Sequence, residues 1–268
     1  MSGPTAELVR RGMAAVRRTG FWWGVGIVVF ALLNLAFWPS FESSGSLAEL
    51  EDSMGSLLEA FGAQGLSTPA GYLDGQLFAL MLPLLLSGAA VAMTSTLTAG
   101  DEDAGRLELL HALPLARRTV WLARWAAATA VVGLIVLVTA VAVVATLQPF
   151  SLDEAGIGRV VAATLACGVL AVFHGSVAYA AAGRGASRGL ALGLAVGVLL
   201  VGYALAFILP ISEALAGARR WSPWYWAIGE QPVSDGVSVL RLALLAVVTL
   251  ALLAVGTHGV DRRDIHTA

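Results

Sequence analysis

Six long apolar runs constrain the fold of this chain more than any other feature of its sequence. A bilayer hydrocarbon core of about 30 Å is crossed by roughly 20 residues of α-helix. The sequence contains six runs of about this length or longer with no ionised side chain at their centres. They cover residues 21–38, 76–99, 120–147, 160–183, 189–209 and 237–258. The sequence therefore predicts an all-α membrane protein with six transmembrane helices.

The composition supports a membrane protein and excludes several classes of enzyme. Hydrophobic residues make up 58% of the chain and charged residues 13%, and the mean hydropathy is +0.81. All 16 basic residues are arginine, so this sequence holds no Walker A phosphate loop, which requires a lysine. Schiff-base and Ser-Lys chemistry are excluded for the same reason. The single cysteine, Cys167, lies in an apolar run and is interpreted as a small packing residue.

The distribution of arginine predicts the orientation in the membrane. With a cytoplasmic amino terminus, twelve of the 16 arginines fall on the inner side. The four that remain lie outside or near the outer boundary, and they are Arg159, Arg219, Arg220 and Arg241. Both termini and the loop 100–118 are therefore predicted to be cytoplasmic, with 39–75 and 210–236 as extracytoplasmic segments. Residues 1–19 place Val9, Met13 and Val16 on one helical face, which favours an interfacial helix over a solvated basic tail.

Two residue clusters predict contacts of the fifth span and of the segment after it. The first cluster is a row of glycines in the fifth span, which recur every fourth residue and favour close packing against another helix. They are Gly189, Gly193 and Gly197. The second cluster is aromatic, lies in the segment after the fifth span, and is typical of a girdle at the membrane interface rather than of a ligand cage. It comprises Trp221, Trp224, Tyr225 and Trp226.

Between the second and third runs lies a charged stretch, DEDAGRLELLHALPLARR, over residues 101–118. Acidic residues at its start suit the positive end of a helix dipole. Leu107, Leu110 and Leu113 line one side of the predicted helix, and Pro114 ends it because proline has no amide proton. The result is a short cytoplasmic helix with an apolar face that no lipid needs to cover.

This stretch resembles the cytoplasmic segment between the second and third spans of ABC-2 type transporter permeases. That segment has an acidic cluster followed by Gly-x-Leu-Glu-x-Leu, two or three residues, and Pro-x-x-Arg. The matching positions are Glu102, Gly105, Leu107, Glu108, Leu110, Pro114 and Arg117. Arg106 and His111 depart from the pattern, where threonine and leucine are common, and neither disturbs the helix. Six spans and inward-facing ends agree with the resemblance over the full length.

The resemblance implies the permease subunit of an ABC exporter, with a type V exporter-like architecture. ATP and Mg²⁺ would bind to separate ATPase subunits, so no cofactor and no catalytic residue is expected on this chain. The loop would form a coupling helix whose docked face is Leu107, Leu110 and Leu113. Charged residues would orient it, namely Glu102, Glu108, Arg117 and Arg118. The resemblance further implies a homodimer or heterodimer in a bacterial inner membrane that exports a drug, a lipid or a similar substrate.

Asn34 and His174 are polar residues inside predicted spans, where they could line a pathway. For His174, a neutral ring bonded to a neighbouring helix explains the sequence equally well. An intramembrane protease is disfavoured because His174 and Ser176 lie two residues apart on one helix and the spans hold no HExxH motif. An ion-driven secondary transporter, which would need acids near the bilayer midplane, and a membrane assembly anchor remain the alternatives.

Overall fold

The fold is a bundle of helices. The computed structural model describes residues 3–60, 65–105 and 115–262, and over these ranges regular structure is helical, with no strand. In the described residues six helical stretches are long and apolar enough to cross a membrane, and each overlaps one of the six apolar runs. The predicted all-α membrane fold is thereby confirmed.

The described residues form six long helices and five shorter ones. The long helices are α1 (Pro4–Ala36), α5 (Met81–Leu97), α7 (Arg117–Leu147), α8 (Ile157–Gly183), α9 (Arg188–Tyr203) and α11 (Val239–Arg262). The shorter ones are α2 (Trp38–Ser44), α3 (Ser46–Ala60), α4 (Pro69–Leu73), α6 (Ala99–Asp103) and α10 (Pro223–Ile228). π-Helical turns at Asp74–Phe78 and Ala204–Ile208 extend α4 and α9. We call the end of the bundle with α6 and the start of α7 the inner end, after the predicted orientation, and the opposite end the outer end.

Helix α1 differs from its prediction. The sequence suggested an interfacial helix over 1–19 followed by a separate span, whereas α1 continues without a break from Pro4 to Ala36. Glycines explain the difference, since they let α1 lie directly against α7. A Cβ added at Gly12 would be 2.7 Å from the Cβ of Ala127, and Gly20 faces Val131 in the same way. The contact continues into the apolar run at Gly24, where an added Cβ would be 3.5 Å from a side-chain carbon of Ile135, so α1 packs along α7 on both sides of the start of that run.

Helix α8 lies at the centre of the bundle and packs against α5, α7, α9 and α11. In its most apolar window 67% of the residues are buried, against 22% for α11 at the periphery. Small residues allow this close packing. A Cβ added at Gly168 would be 2.9 Å from a methyl carbon of Val136, and one at Gly256 of α11 would be 2.7 Å from the ring of Tyr179. The peripheral helices are left with exposed apolar faces, as lipid contact requires.

The glycine row on α9 packs against no described part of this chain. A Cβ added at Gly189, Gly193 or Gly197 would meet nothing within 4 Å. The close packing that the sequence predicts for this row is therefore not made with another described helix of the same chain.

The aromatic cluster is divided between the core and the surface. Trp224 is fully buried, and its indole N–H donates to the main-chain oxygen of Leu199 at 3.2 Å. Trp221, three residues earlier, is 76% exposed. The predicted interfacial girdle is thus wrong for Trp224, because α10 folds back against α9 and buries this ring.

A buried aspartate holds the outer end together. Asp74 lies in the π-helical turn after α4 and is fully buried. Its two carboxylate oxygens accept the main-chain N–H groups of Val233 at 2.8 Å and Ser234 at 2.9 Å. Arg159 of α8 donates to the main-chain oxygens of the same two residues at 3.4 and 3.2 Å. The segment before α11 is therefore fixed through its backbone by one acid and one arginine.

Candidate functional site

The structure describes the two places where the predicted coupling segment joins the bundle. Glu102 lies in α6, Gly105 follows that helix, and Arg117 and Arg118 begin α7. The other predicted coupling residues lie outside the described ranges, and they are Leu107, Glu108, Leu110, Leu113 and Pro114. We call residues 96–105 together with Arg124 and Arg188 the inner mount.

The inner mount begins where the second span breaks. Thr98 leaves helical geometry with φ −107° and ψ −96°, which separates α5 from the single turn of α6. The Thr98 hydroxyl donates to the main-chain oxygen of Thr94 at 2.7 Å, so the break does not leave this buried hydroxyl unsatisfied. Gly105 then adopts φ +68°, a left-handed conformation that costs most residues other than glycine about 1–2 kcal/mol. The backbone therefore explains the glycine at this position of the motif.

An ion pair fixes α6 to the third span. Asp101 and Arg124 of α7 approach to 2.8 Å, with only 6% and 12% of their side chains exposed. Burial makes such a pair costly to form but more costly to break, because removing one partner leaves the other charge uncompensated. The geometry therefore couples the position of α6 to that of α7.

A second contact fixes α6 to the fifth span. The main-chain N–H of Arg188, the first residue of α9, donates to the Asp103 carboxylate at 3.2 Å. The guanidinium of Arg188 donates to the Thr96 hydroxyl at 3.3 Å. Gly100 makes room for this side chain, since an added Cβ would be 3.3 Å from the Cδ of Arg188. Asp101 and Asp103 thus hold the short α6 helix between two different spans.

Arg117 and Arg118 stand at an unfavourable place for helix stability. They are the first two residues of α7, and both are exposed. Cations at a helix amino terminus oppose the helix dipole, at a cost of about 0.3–1 kcal/mol each. Helix formation therefore does not explain this pair, and the role of Arg117 and Arg118 in orienting the coupling segment stays a prediction.

The chain as a whole matches a known family. The model of the ABC-2 family transporter protein matches residues 7–258. The chain belongs to this family. A search of curated proteins found no match. The resemblance seen in residues 101–118 is thus confirmed over nearly the full length, and the protein is a membrane transporter permease.

The two predicted pathway residues of this ABC-2 permease lie in different contacts. His174 of α8 is fully buried, and its Nδ1 lies 3.0 Å from the Ser87 hydroxyl of α5. Asn34 lies near the end of α1, where its main-chain oxygen accepts the Tyr72 hydroxyl at 2.8 Å. The structure does not bring the two residues into one site. The bond to Ser87 is the arrangement expected of a histidine that joins two helices, and a role in the pathway stays a prediction for both residues.

Sequence reasoning missed most of the inner mount. It assigned the acidic residues at the start of 101–118 to the helix dipole and gave no partner to Arg124 or Arg188. One signal was available, since Asp101 and Arg124 stand at the predicted cytoplasmic ends of consecutive spans. Residues 3–60, 65–105 and 115–262 contain no group of three or more His, Cys, Asp or Glu side chains that could hold a metal ion.

Proposed function

We propose that this protein is the transmembrane subunit of an ABC exporter and that residues 101–118 couple it to a separate ATPase subunit. In this proposal ATP and Mg²⁺ bind to the partner, and the permease contributes a docking element. Leu107, Leu110 and Leu113 provide its apolar face, while Glu102, Glu108, Arg117 and Arg118 set its orientation.

The observation that carries the proposal is the double attachment of α6. Movement of a cytoplasmic segment can tilt spans only if the segment is firmly joined to them. Asp101 joins α6 to α7 by a buried ion pair of 2.8 Å, and Asp103 joins it to α9. Force applied beyond Gly105 would therefore reach the third and fifth spans together, in addition to the second span from which α6 continues.

The proposed assembly contains two permease copies, identical or related, and two ATPase subunits in a bacterial inner membrane with both permease termini in the cytoplasm. Family membership supports two copies, because one six-helix chain has too few helices for the two-sided pathway such transporters use. The absence of lysine from the sequence supports a separate ATPase. A drug or a lipid would suit the apolar spans as substrate.

Purification in mild detergent from its native cells, followed by identification of bound subunits, tests the assembly. The proposal predicts a stoichiometric ATPase polypeptide together with the permease. A permease that purifies alone and transports with a proton gradient in place of ATP would instead establish a secondary transporter.

Charge reversal tests the coupling role of the segment. Glu102→Arg should leave the ATPase of the purified complex active but abolish ATP-dependent transport, because it inverts a charge proposed to orient docking. The matched control is Glu213→Arg, an equal reversal at an exposed residue in the predicted extracytoplasmic segment. Equal transport by both variants would contradict the assignment.

A further inference from the structure

A long apolar groove runs between α1 and α7 on the surface of the bundle. Its volume is about 740 Å³, within the range of about 300–1,000 Å³ that is usual for ligand sites. Exposed apolar side chains form its walls, including Phe21 and Val25 of α1 and Leu134 and Val138 of α7. Exposure of such residues on a bundle that spans a membrane indicates that another apolar surface, of lipid or of protein, covers them.

Glycines leave the space that forms the groove. Gly20 and Gly24 line it on α1, and a Cβ added at Gly24 would be 3.5 Å from a side-chain carbon of Ile135. The two helices therefore touch along their glycine face, and the space beside it stays open. A larger side chain at Gly24 would extend into that space.

One end of the groove is positively charged. Its lining residues are apolar except for Arg10 and Arg17, which lie two helical turns apart at the amino-terminal end of α1. Arg10 is ion-paired with Glu7 at 2.8 Å. For Arg17, the described part of the chain provides no ion pair and no hydrogen-bonded side-chain partner. The groove thus combines an apolar wall with an available cation at one end.

The dimensions of the groove match one leaflet of a bilayer. From Arg17 to Val29 the helix rises about 18 Å at 1.5 Å per residue. One leaflet contributes about 15 Å of hydrocarbon, half of a 30 Å core. A lipid whose headgroup lay beside Arg17 would therefore place its acyl chain along the full apolar length.

We propose that this groove binds an anionic phospholipid of the leaflet at the amino-terminal end of α1. The phosphate contacts Arg17, and one acyl chain lies between α1 and α7 against Phe21, Val25 and Leu134. The proposal does not depend on coupling to an ATPase, because the groove contains no residue of the segment 101–118.

A second copy of the chain fits this groove less well. Two copies related by a twofold axis along the membrane normal present the same residues at the same depth. The two Arg17 side chains would then lie at the same depth in one interface, where like charges repel. A negatively charged headgroup removes this conflict, since anionic lipid attracts basic side chains near the membrane surface.

Native mass spectrometry of the full chain, transferred from nanodiscs with equal amounts of phosphatidylglycerol and phosphatidylcholine, tests the proposal. The wild-type protein should retain phosphatidylglycerol in preference to phosphatidylcholine. Arg17→Gln should lower this preference about fivefold, the effect expected of one basic residue near an anionic surface. Arg18→Gln is the matched control, since it removes the same charge from the next residue, which does not line the groove.

Filling the groove gives a second, independent test. Gly24→Leu should remove the retained lipid of both classes, whereas Gly26→Leu should retain it, because a Cβ at Gly26 would meet nothing within 4 Å and lies outside the groove. Equal lipid preference in the Arg17 and Arg18 variants would overturn the proposal. Conversion of a dimer to a monomer by Gly24→Leu with unchanged lipid would also overturn it and identify a second copy as the occupant.

Discussion

Each end of the bundle is fixed by a buried aspartate, but the partners differ. At the inner end Asp101 contacts the Arg124 side chain, and at the outer end Asp74 accepts two main-chain N–H groups from residues 233 and 234. The first contact joins two helices through side chains alone. The second fixes the path of a loop. The proposed coupling requires a contact of the first kind, because it joins one helix to another, whereas a contact of the second kind holds a loop in place.

The largest loss of stability is expected from a substitution at the inner end. Arg124→Ala leaves the buried Asp101 charge without this partner and should lower the free energy of unfolding by about 3–5 kcal/mol. Thermal unfolding in detergent measures the change. Arg118→Ala, which removes an exposed arginine from the same helix, should leave the midpoint nearly unchanged.

Exchange of the Asp101 and Arg124 charges tests how the inner contact differs from the outer one. The double variant Asp101→Arg/Arg124→Asp should recover part of the stability lost in either single variant, because the ion pair can form in the opposite sense. No such recovery is possible for Asp74, whose partners are backbone groups. A double variant that is less stable than both single variants would show that the Asp101–Arg124 pair does not join the helices by charge.

At the outer end, Asp74→Ala should cost about 2–4 kcal/mol, since the buried N–H of Val233 without a partner costs roughly 1–3 kcal/mol and the half-buried N–H of Ser234 about 1 kcal/mol. Asp74→Asn should restore part of this loss, because one amide oxygen can still accept a bond. Asp235→Ala, at an exposed position of the same outer segment, serves as the control. The unfolding midpoint distinguishes the three variants, and equal midpoints for Asp74→Ala and Asp235→Ala would contradict the role of Asp74.

A smaller effect on stability is expected at Gly105. Gly105→Val should cost about 1–2 kcal/mol because valine is disfavoured at a φ of +68°. Gly105→Asn should cost less, since asparagine adopts this conformation more readily. The valine variant should also reduce transport per ATP hydrolysed, because it alters the direction in which the chain leaves α6. If asparagine and valine were equally harmful, the backbone explanation for Gly105 would be wrong.

The spans could be predicted from sequence because burial in lipid requires long apolar runs, and that requirement is local. The contacts that hold the two ends of the bundle could not be predicted, since their residues are far apart in sequence. Asp101 and Arg124 belong to different helices, and Asp74 bonds to Val233 and Ser234, which follow it by 159 and 160 positions. No periodic pattern marks such pairs. The continuity of α1 was missed because Arg17 and Arg18 suggested a membrane boundary, whereas Gly12 and Gly20 let the helix pack along α7.

The same limit applies to the aromatic cluster and to the coupling motif. Trp221 and Trp224 look equivalent in sequence, yet one is exposed and the other is fully buried against α9. The motif marked Gly105 as a matching position, and its positive φ explains why the residue is glycine. The attachment of α6 through Asp103 and Arg188 required the three-dimensional structure, because these residues are 85 positions apart.

Crosslinking from the segment 101–118 tests the central claim most directly. The single cysteine is buried in α8, so Cys167→Ala provides a background for one new thiol. In cells that contain the partner, Leu110→Cys carrying a photoactivatable crosslinker should yield a covalent adduct with an ATPase polypeptide. Glu154→Cys, at the predicted outer end, should yield none. Labelling of Leu110→Cys by a membrane-impermeant reagent added outside intact cells, or the absence of any ATPase adduct, would contradict the account.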